Sequence, residues 1–156
     1  AGVAGAVLVH LSSLLDGVDG EIARLQVRTN PAGAFLDGIL DRIADAAVIG
    51  GLALWALERA IAPELVAILA IAATAGSMLS MASKDRIAAL GLPRAPERWI
   101  GFLFGGRDAR LLLVVLFALA SRPELAMAAV AATSSVSLVV RVLVTRASLR
   151  AWSVAS

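Results

Sequence analysis

The chain has 156 residues, 60% of them hydrophobic, and a mean hydropathy of +0.87, more apolar surface than a soluble domain of this length needs. Cysteine is absent, which excludes a disulfide framework, a thiolate nucleophile and a cysteine metal site; the single histidine, His10, excludes a histidine metal cluster and argues against a Ser-His-Asp triad. The formal net charge is only +2, so the placement of charge carries more information than its sum.

Five apolar stretches follow one another: Ala1 to Leu15, Ala34 to Leu57, Pro63 to Ala82, Trp99 to Ala120 and Leu125 to Val144. A helix needs about 20 apolar residues to cross a bilayer, so the second, third and fifth are long enough. The fourth is interrupted by Arg107, Asp108 and Arg110, which leave a short apolar core from Leu111 to Ala120. Alanine and leucine dominate and no period-two alternation is sustained, so strands are not expected. No linker, low-complexity tract or fixed-period repeat divides the chain. These features predict one all-α domain over 1–156, a polytopic transmembrane bundle with five membrane helices.

Basic residues then orient the bundle. Arg24 and Arg28 lie between the first two stretches, Lys84, Arg86, Arg94, Arg98 and Arg107 between the third and fourth, and Arg146 and Arg150 after the fifth. The opposite turns hold only Arg59 and Arg122, each near a glutamate and a proline. The positive-inside rule puts the basic linkers in the cytoplasm, and Trp55, Trp99 and Trp152 fall near segment ends as interfacial anchors would. The first stretch must then enter from the outer side, although the chain opens within an apolar run. A sixth helix preceding Ala1 is therefore expected, rather than signal-peptide processing, because AGVAGA has no basic start.

Acidic side chains are costly in membrane helices, about 2.5–3.5 kcal/mol each at the centre. This chain nevertheless has Asp16 and Asp19 ending its first stretch and Asp37, Asp41 and Asp45 within its second. Asp16 and Asp19, at i and i+3, share one helical face; Asp37 and Asp41, at i and i+4, share another, about 6 Å apart along the axis. Gly33 extends the second face, while Gly20 and Ala23 thin the first helix and let backbones approach. Four carboxylates on two apposed helices make an oxygen-rich pocket suited to a hard cation, Mg²⁺ or Mn²⁺. Such sites commonly complete their ligand set with phosphate oxygens, which points to chemistry at phosphorus.

The run from Asp16 to Asp41 resembles the signature of the CDP-alcohol phosphotransferase family, D-x2-D-G-x2-A-R-x8-G-x3-D-x3-D, with every fixed position filled by Asp16, Asp19, Gly20, Ala23, Arg24, Gly33, Asp37 and Asp41. The family's six-helix fold also suits the stretches and basic linkers. The resemblance implies an integral membrane transferase that splits a CDP-alcohol, passes its phosphoalcohol group to an acceptor hydroxyl and releases CMP. It implies that Asp16, Asp19 and Asp37 bind the metal ions, with Asp41 at the edge of that site and acting as the general base. Gly20, Ala23 and Gly33 would make room for the cytidine nucleotide, and Arg24 would neutralise its phosphates. The active site would face the cytoplasm from the cell's inner membrane, in a homodimer among membrane lipids, with no nucleic-acid partner.

A buried polar network, or an ion- or proton-translocating site, would also put acids in a membrane. Neither explains Gly20, Ala23, Arg24 and Gly33 at their spacings. Asp45 falls outside the signature and is expected to pair with a nearby arginine such as Arg42. His10 reads as a helix-packing or interface residue, and Gly101-x3-Gly105 is as consistent with a glycine-rich run as with a helix contact.

A second constellation lies in the later half: Lys84, Arg86, Arg107, Arg110 and Arg141. Arg141 is inside the fifth stretch, and a cation there needs an anionic partner. Arg110 and Arg141 read as a phosphate-binding pocket, whereas Arg94, Arg98, Arg146 and Arg150 read as residues that extend to the membrane surface. Family members that use inositol phosphate bind its phosphate with basic residues at similar points. The run Leu11 to Leu25, with Glu21-Ile22 inside the signature, resembles the branch that makes di-inositol phosphodiesters from CDP-inositol and inositol 1-phosphate, often fused to a cytidylyltransferase. The alternative is a phospholipid synthase using CDP-diacylglycerol with inositol phosphate, glycerol phosphate or another small alcohol.

Overall fold

The computed structural model describes residues 31–91 and 107–155, in which four α-helices run as α1 (Pro31–Glu58), α2 (Pro63–Ala89), α3 (Arg107–Leu119) and α4 (Pro123–Ala155). The all-helical expectation holds for these residues, but the count of five membrane helices does not. Among the described residues, only α2 and the Pro123–Arg150 part of α4 are long and apolar enough to cross a membrane. In α1, Asp37, Asp41, Arg42 and Asp45 occupy the first half, and the apolar run from Ala46 to Leu57 is well short of the ~20 residues a span requires. Of the expected span from Trp99 to Ala120, the described residues form the 13-residue α3, and those before Arg107 lie outside the description. The stretch from Ala1 to Leu15 lies outside the described residues.

Hydropathy also misplaces the helix ends. The third stretch was expected to stop at Ala82, yet α2 continues through Lys84, Asp85 and Arg86 to Ala89 and ends where Gly91 turns the chain at φ 64°. At 27 residues α2 is roughly 40 Å long, and α4 at 33 residues is roughly 50 Å. Both exceed the ~30 Å hydrocarbon layer, so their charged ends belong to helix rather than to linkers.

Two similar turns make neighbouring helices antiparallel. After α1, Ala60 adopts φ 58°, its N–H bonds to the Leu57 carbonyl and the Ile61 N–H to the Ala56 carbonyl. After α3, Ser121 adopts φ 56°, bonds to the Ala118 carbonyl, and the Arg122 N–H bonds to the Phe117 carbonyl. Both are left-handed caps that satisfy carbonyls the helix leaves open. Pro63 and Pro123 then start the next helices, where a missing N–H is harmless, and Glu64 and Glu124 put negative charge near the positive helix end.

Helix α4 is the hub: it packs most extensively on α2 and also contacts α3 and α1, while α1 also packs on α2. The core joins Ile49, Leu52 and Ala56 of α1, Val66 and Ala73 of α2, Val114 of α3, and Ala126, Met127 and Val130 of α4. Alanine is frequent there because lipid offers as good an apolar environment as protein, so close backbone approach must drive helix association. The outer faces keep Ile68, Ile71, Leu79, Val139 and Leu143 more than half exposed, the pattern of helices whose surroundings are apolar.

Gly76 sets the closest approach of α2 and α4. A β-carbon there would lie 3.1 Å from Ser134 Cβ. We therefore expect Gly76→Leu to force the two helices apart and cost about 1–3 kcal/mol of stability, read as a lower thermal midpoint in detergent.

Candidate functional site: an acidic helix face and two buried arginines

Gly33, Asp37, Asp41 and Asp45 succeed one another at four-residue intervals along α1. The helix carries them from the exposed Gly33 and Asp37 to the half-buried Asp41 and Asp45. The expected partners on the other acidic helix, Asp16, Asp19, Gly20, Ala23 and Arg24, lie outside the described residues. Among the described residues no group of three or more acidic, histidine or cysteine side chains assembles a metal site. Asp37 and Asp41 provide two carboxylates on one face, and oxygen donors of this kind suit Mg²⁺ or Mn²⁺. They fit as half of the proposed ligand set.

Arg42 was expected to pair with Asp45, and it does not. It bonds back to the Gly38 carbonyl and reaches across to Asp85 of α2, with Nη2 to Oδ2 at 2.5 Å. Gly38 leaves room for this, since a β-carbon there would stand 3.2 Å from Arg42 Nη1. The link ties the Asp41 turn of α1 to the Lys84–Arg86 end of α2, but both side chains are substantially exposed, so it contributes little to stability.

Asp45 instead faces into the bundle. Ser77 of α2 donates to its Oδ2 at 2.8 Å, and Arg110 of α3 approaches the same oxygen with Nη2 at 3.6 Å. Arg110 Nη1 also donates to Ser134 of α4 at 3.2 Å. Its guanidinium is thus held among all four helices with its side chain only 5% exposed. Val48, Ile49, Leu111, Val114 and Val130 line a small cleft beside Asp45, Ser77 and Arg110.

Arg141, also buried, makes a parallel arrangement one level away. Its Nη1 donates to the Ser80 carbonyl and, at 3.0 Å, to Ser83 Oγ. Ser80 and Ser137 face each other at 3.5 Å. Ser77, Ser80 and Ser83 on α2 therefore meet Ser134, Ser137 and Arg141 on α4. Sequence reasoning found both arginines and missed the serines, whose three-residue spacing inside otherwise apolar helices is the signal of a shared polar face. Of the other basic residues expected at an acceptor site, Lys84 and Arg86 are exposed on the last turns of α2, apart from this buried cluster. The side chain of Arg107 lies outside the description.

Such an arrangement can perform acid–base and anion chemistry. One helix face holds carboxylates able to accept a proton, and a buried pair of guanidinium groups can donate hydrogen bonds to phosphate oxygens. Comparison with known proteins gives the same direction. Residues 1–134 match the CDP-alcohol phosphatidyltransferase family. A bifunctional IPC transferase and DIPP synthase of Rubrobacter xylanophilus is 41% identical over 140 residues, covering 89% of this chain and 30% of that protein. A phosphatidylinositol phosphate synthase of Mycolicibacterium smegmatis is 35% identical over 150 residues, covering 92% of this chain and 66% of that protein. Another from Streptomyces avermitilis is 40% identical over 91 residues, 58% of this chain and 37% of that protein. The chain thus spans about a third of the length of the bifunctional relative from Rubrobacter.

Burial separates the Arg110–Ser134 hydrogen bond from the exposed Arg42–Asp85 ion pair energetically. Ser134 is fully buried, so Ser134→Val, which removes the acceptor for Arg110, should cost about 1.5–3 kcal/mol. Asp85→Asn should cost less than about 1 kcal/mol, both changes being compared by thermal denaturation in one detergent.

Proposed function

This chain belongs to the CDP-alcohol phosphatidyltransferase family, and we propose that it cleaves a CDP-alcohol, transfers the phosphoalcohol group to an acceptor hydroxyl and releases CMP. The observation that carries the reading is the run of Asp37, Asp41 and Asp45 on α1, whose last carboxylate is joined to the buried Arg110. A proton-accepting face and an anion-binding cluster thereby belong to one packed unit.

Asp16, Asp19, Asp37 and Asp41 would hold Mg²⁺ or Mn²⁺, which supplies charge neutralisation for the pyrophosphate of the donor. Arg24 binds the nucleotide phosphates, and Gly20, Ala23 and Gly33 leave space for cytidine. Asp41 takes the proton of the acceptor hydroxyl as its oxygen attacks the phosphorus bearing the donor alcohol. The bond from that phosphorus to the bridging oxygen breaks, CMP leaves with the bridging oxygen, and a phosphodiester remains. Arg110 and Arg141 bind the phosphate of a phosphorylated acceptor and position its hydroxyl, with Lys84, Arg86 and Arg107 attracting anions towards the same end of the bundle.

CDP-inositol with inositol 1-phosphate is the substrate pair we favour, supported by the resemblance of Leu11 to Leu25 and by relatives named DIPP synthases. The second reading is phospholipid synthesis from CDP-diacylglycerol and inositol phosphate, favoured by the similarity of nearly the whole chain to a phosphatidylinositol phosphate synthase. In either case we place the protein in the cell's inner membrane, with the site facing the cytoplasm and two copies associating. A fused or separate cytidylyltransferase would supply CDP-inositol in the first reading.

Purified protein supplied with Mg²⁺ or Mn²⁺ and inositol 1-phosphate should release CMP from CDP-inositol or from CDP-diacylglycerol, and the productive donor separates the two readings. Chelating the metal should stop release. Asp41→Asn should slow it by at least about 10²-fold, and CMP release unchanged by that substitution would remove Asp41 as the base.

A further inference from the structure

Arg110 is a buried cation, only 4% exposed, and leaving such a charge without an opposite one is costly. Asp45 supplies an opposite charge here. The contact is loose. Asp45 Oδ2 accepts a 2.8 Å hydrogen bond from Ser77, while Arg110 Nη2 stands 3.6 Å from the same oxygen, a separation that is an ion pair rather than a hydrogen bond. Ser77 therefore holds the carboxylate, and the guanidinium is attracted to it without being hydrogen-bonded by it there.

We propose that Asp45 is a resident counterion of Arg110, a built-in competitor that the incoming acceptor phosphate must outweigh, and hence a residue that sets the affinity of the site for that phosphate. This rests on the reading of Arg110 as a ligand of the acceptor phosphate. A phosphate monoester carries about −1.5 to −2 charges at neutral pH, against a single negative charge on Asp45. It therefore draws the guanidinium towards itself, whereas an unphosphorylated alcohol offers no charge with which to compete. Asp45 thereby lowers the affinity of the site for an anion and leaves a neutral occupant unaffected.

The test is calorimetric binding of inositol 1-phosphate, inorganic phosphate and CMP to the full chain in detergent, for wild type, Asp45→Asn, Ser77→Ala and Arg110→Gln. Asparagine keeps an acceptor for Ser77 while removing the charge. Asp45→Asn should tighten inositol 1-phosphate and phosphate by roughly five- to tenfold and leave CMP within about twofold. Unphosphorylated inositol should gain nothing. Ser77→Ala frees the carboxylate to pair more fully with Arg110 and should weaken both phosphates; it carries the test if Asp45→Asn does not fold, and unchanged or tighter binding there overturns the proposal. Unchanged or weaker phosphate binding in Asp45→Asn also overturns it, since a merely structural carboxylate predicts either. If Arg110→Gln abolishes phosphate binding and Asp45→Asn does not tighten it, the counterion role alone fails. If Arg110→Gln changes nothing, or neither anion binds any variant, the acceptor-site reading fails and this inference with it.

Discussion

A charge inside an apolar bundle must be answered from within the bundle, and most of what is specific about this structure follows from that constraint. Arg110 and Arg141 are each buried among helices that are otherwise alanine, leucine and valine. Without nearby water, their hydrogen bonds must come from other helices, which is why serines recur at three-residue spacing on the facing sides of α2 and α4. Asp45 adds an opposite charge that brings α1 and α3 into the same network.

The same constraint governs packing. Serine, alanine and glycine are small, so the residues that satisfy the arginines also let α2 and α4 approach closely, with Gly76 opposite Ser134. Polar satisfaction and close packing are therefore one arrangement here, and a larger side chain at this contact disturbs both. Helix α4 gains its central place from this, since it supplies Ser134, Ser137 and Arg141 to the network and Ala126, Met127 and Val130 to the core.

Functionally, the network joins the two halves of the proposed reaction. The carboxylates of α1 run from exposed to half-buried along one face, and the deepest of them contacts the arginine proposed for the acceptor. The Arg42–Asp85 link makes a second, exposed connection between the Asp41 turn and the basic end of α2. The relatives named bifunctional IPC transferase and DIPP synthase or phosphatidylinositol phosphate synthase share sequence with this chain, which covers 30% and 37% of the length of the two from Rubrobacter and Streptomyces.

The helical class was legible in the composition and the family in the acidic signature, and Arg110 and Arg141 stood out because a charge is costly in an apolar setting. Helix extent was not legible: α2 runs past Ala82 through Lys84 and Arg86, because hydropathy does not report where backbone hydrogen bonding stops, while α1 is helical throughout the stretch from Ala34 but too charged in its first turns to be a span. Pairing was not legible either. Arg42 and Asp45 are near neighbours in sequence and on the same helix, so a local pair was reasonable. Tertiary packing turned Asp45 towards α2 and α3 and left Arg42 facing the end of α2, giving each a partner more than thirty residues away in sequence. Sequence spacing determines which side chains share a helix face, while which face meets which neighbour is decided only when the helices dock.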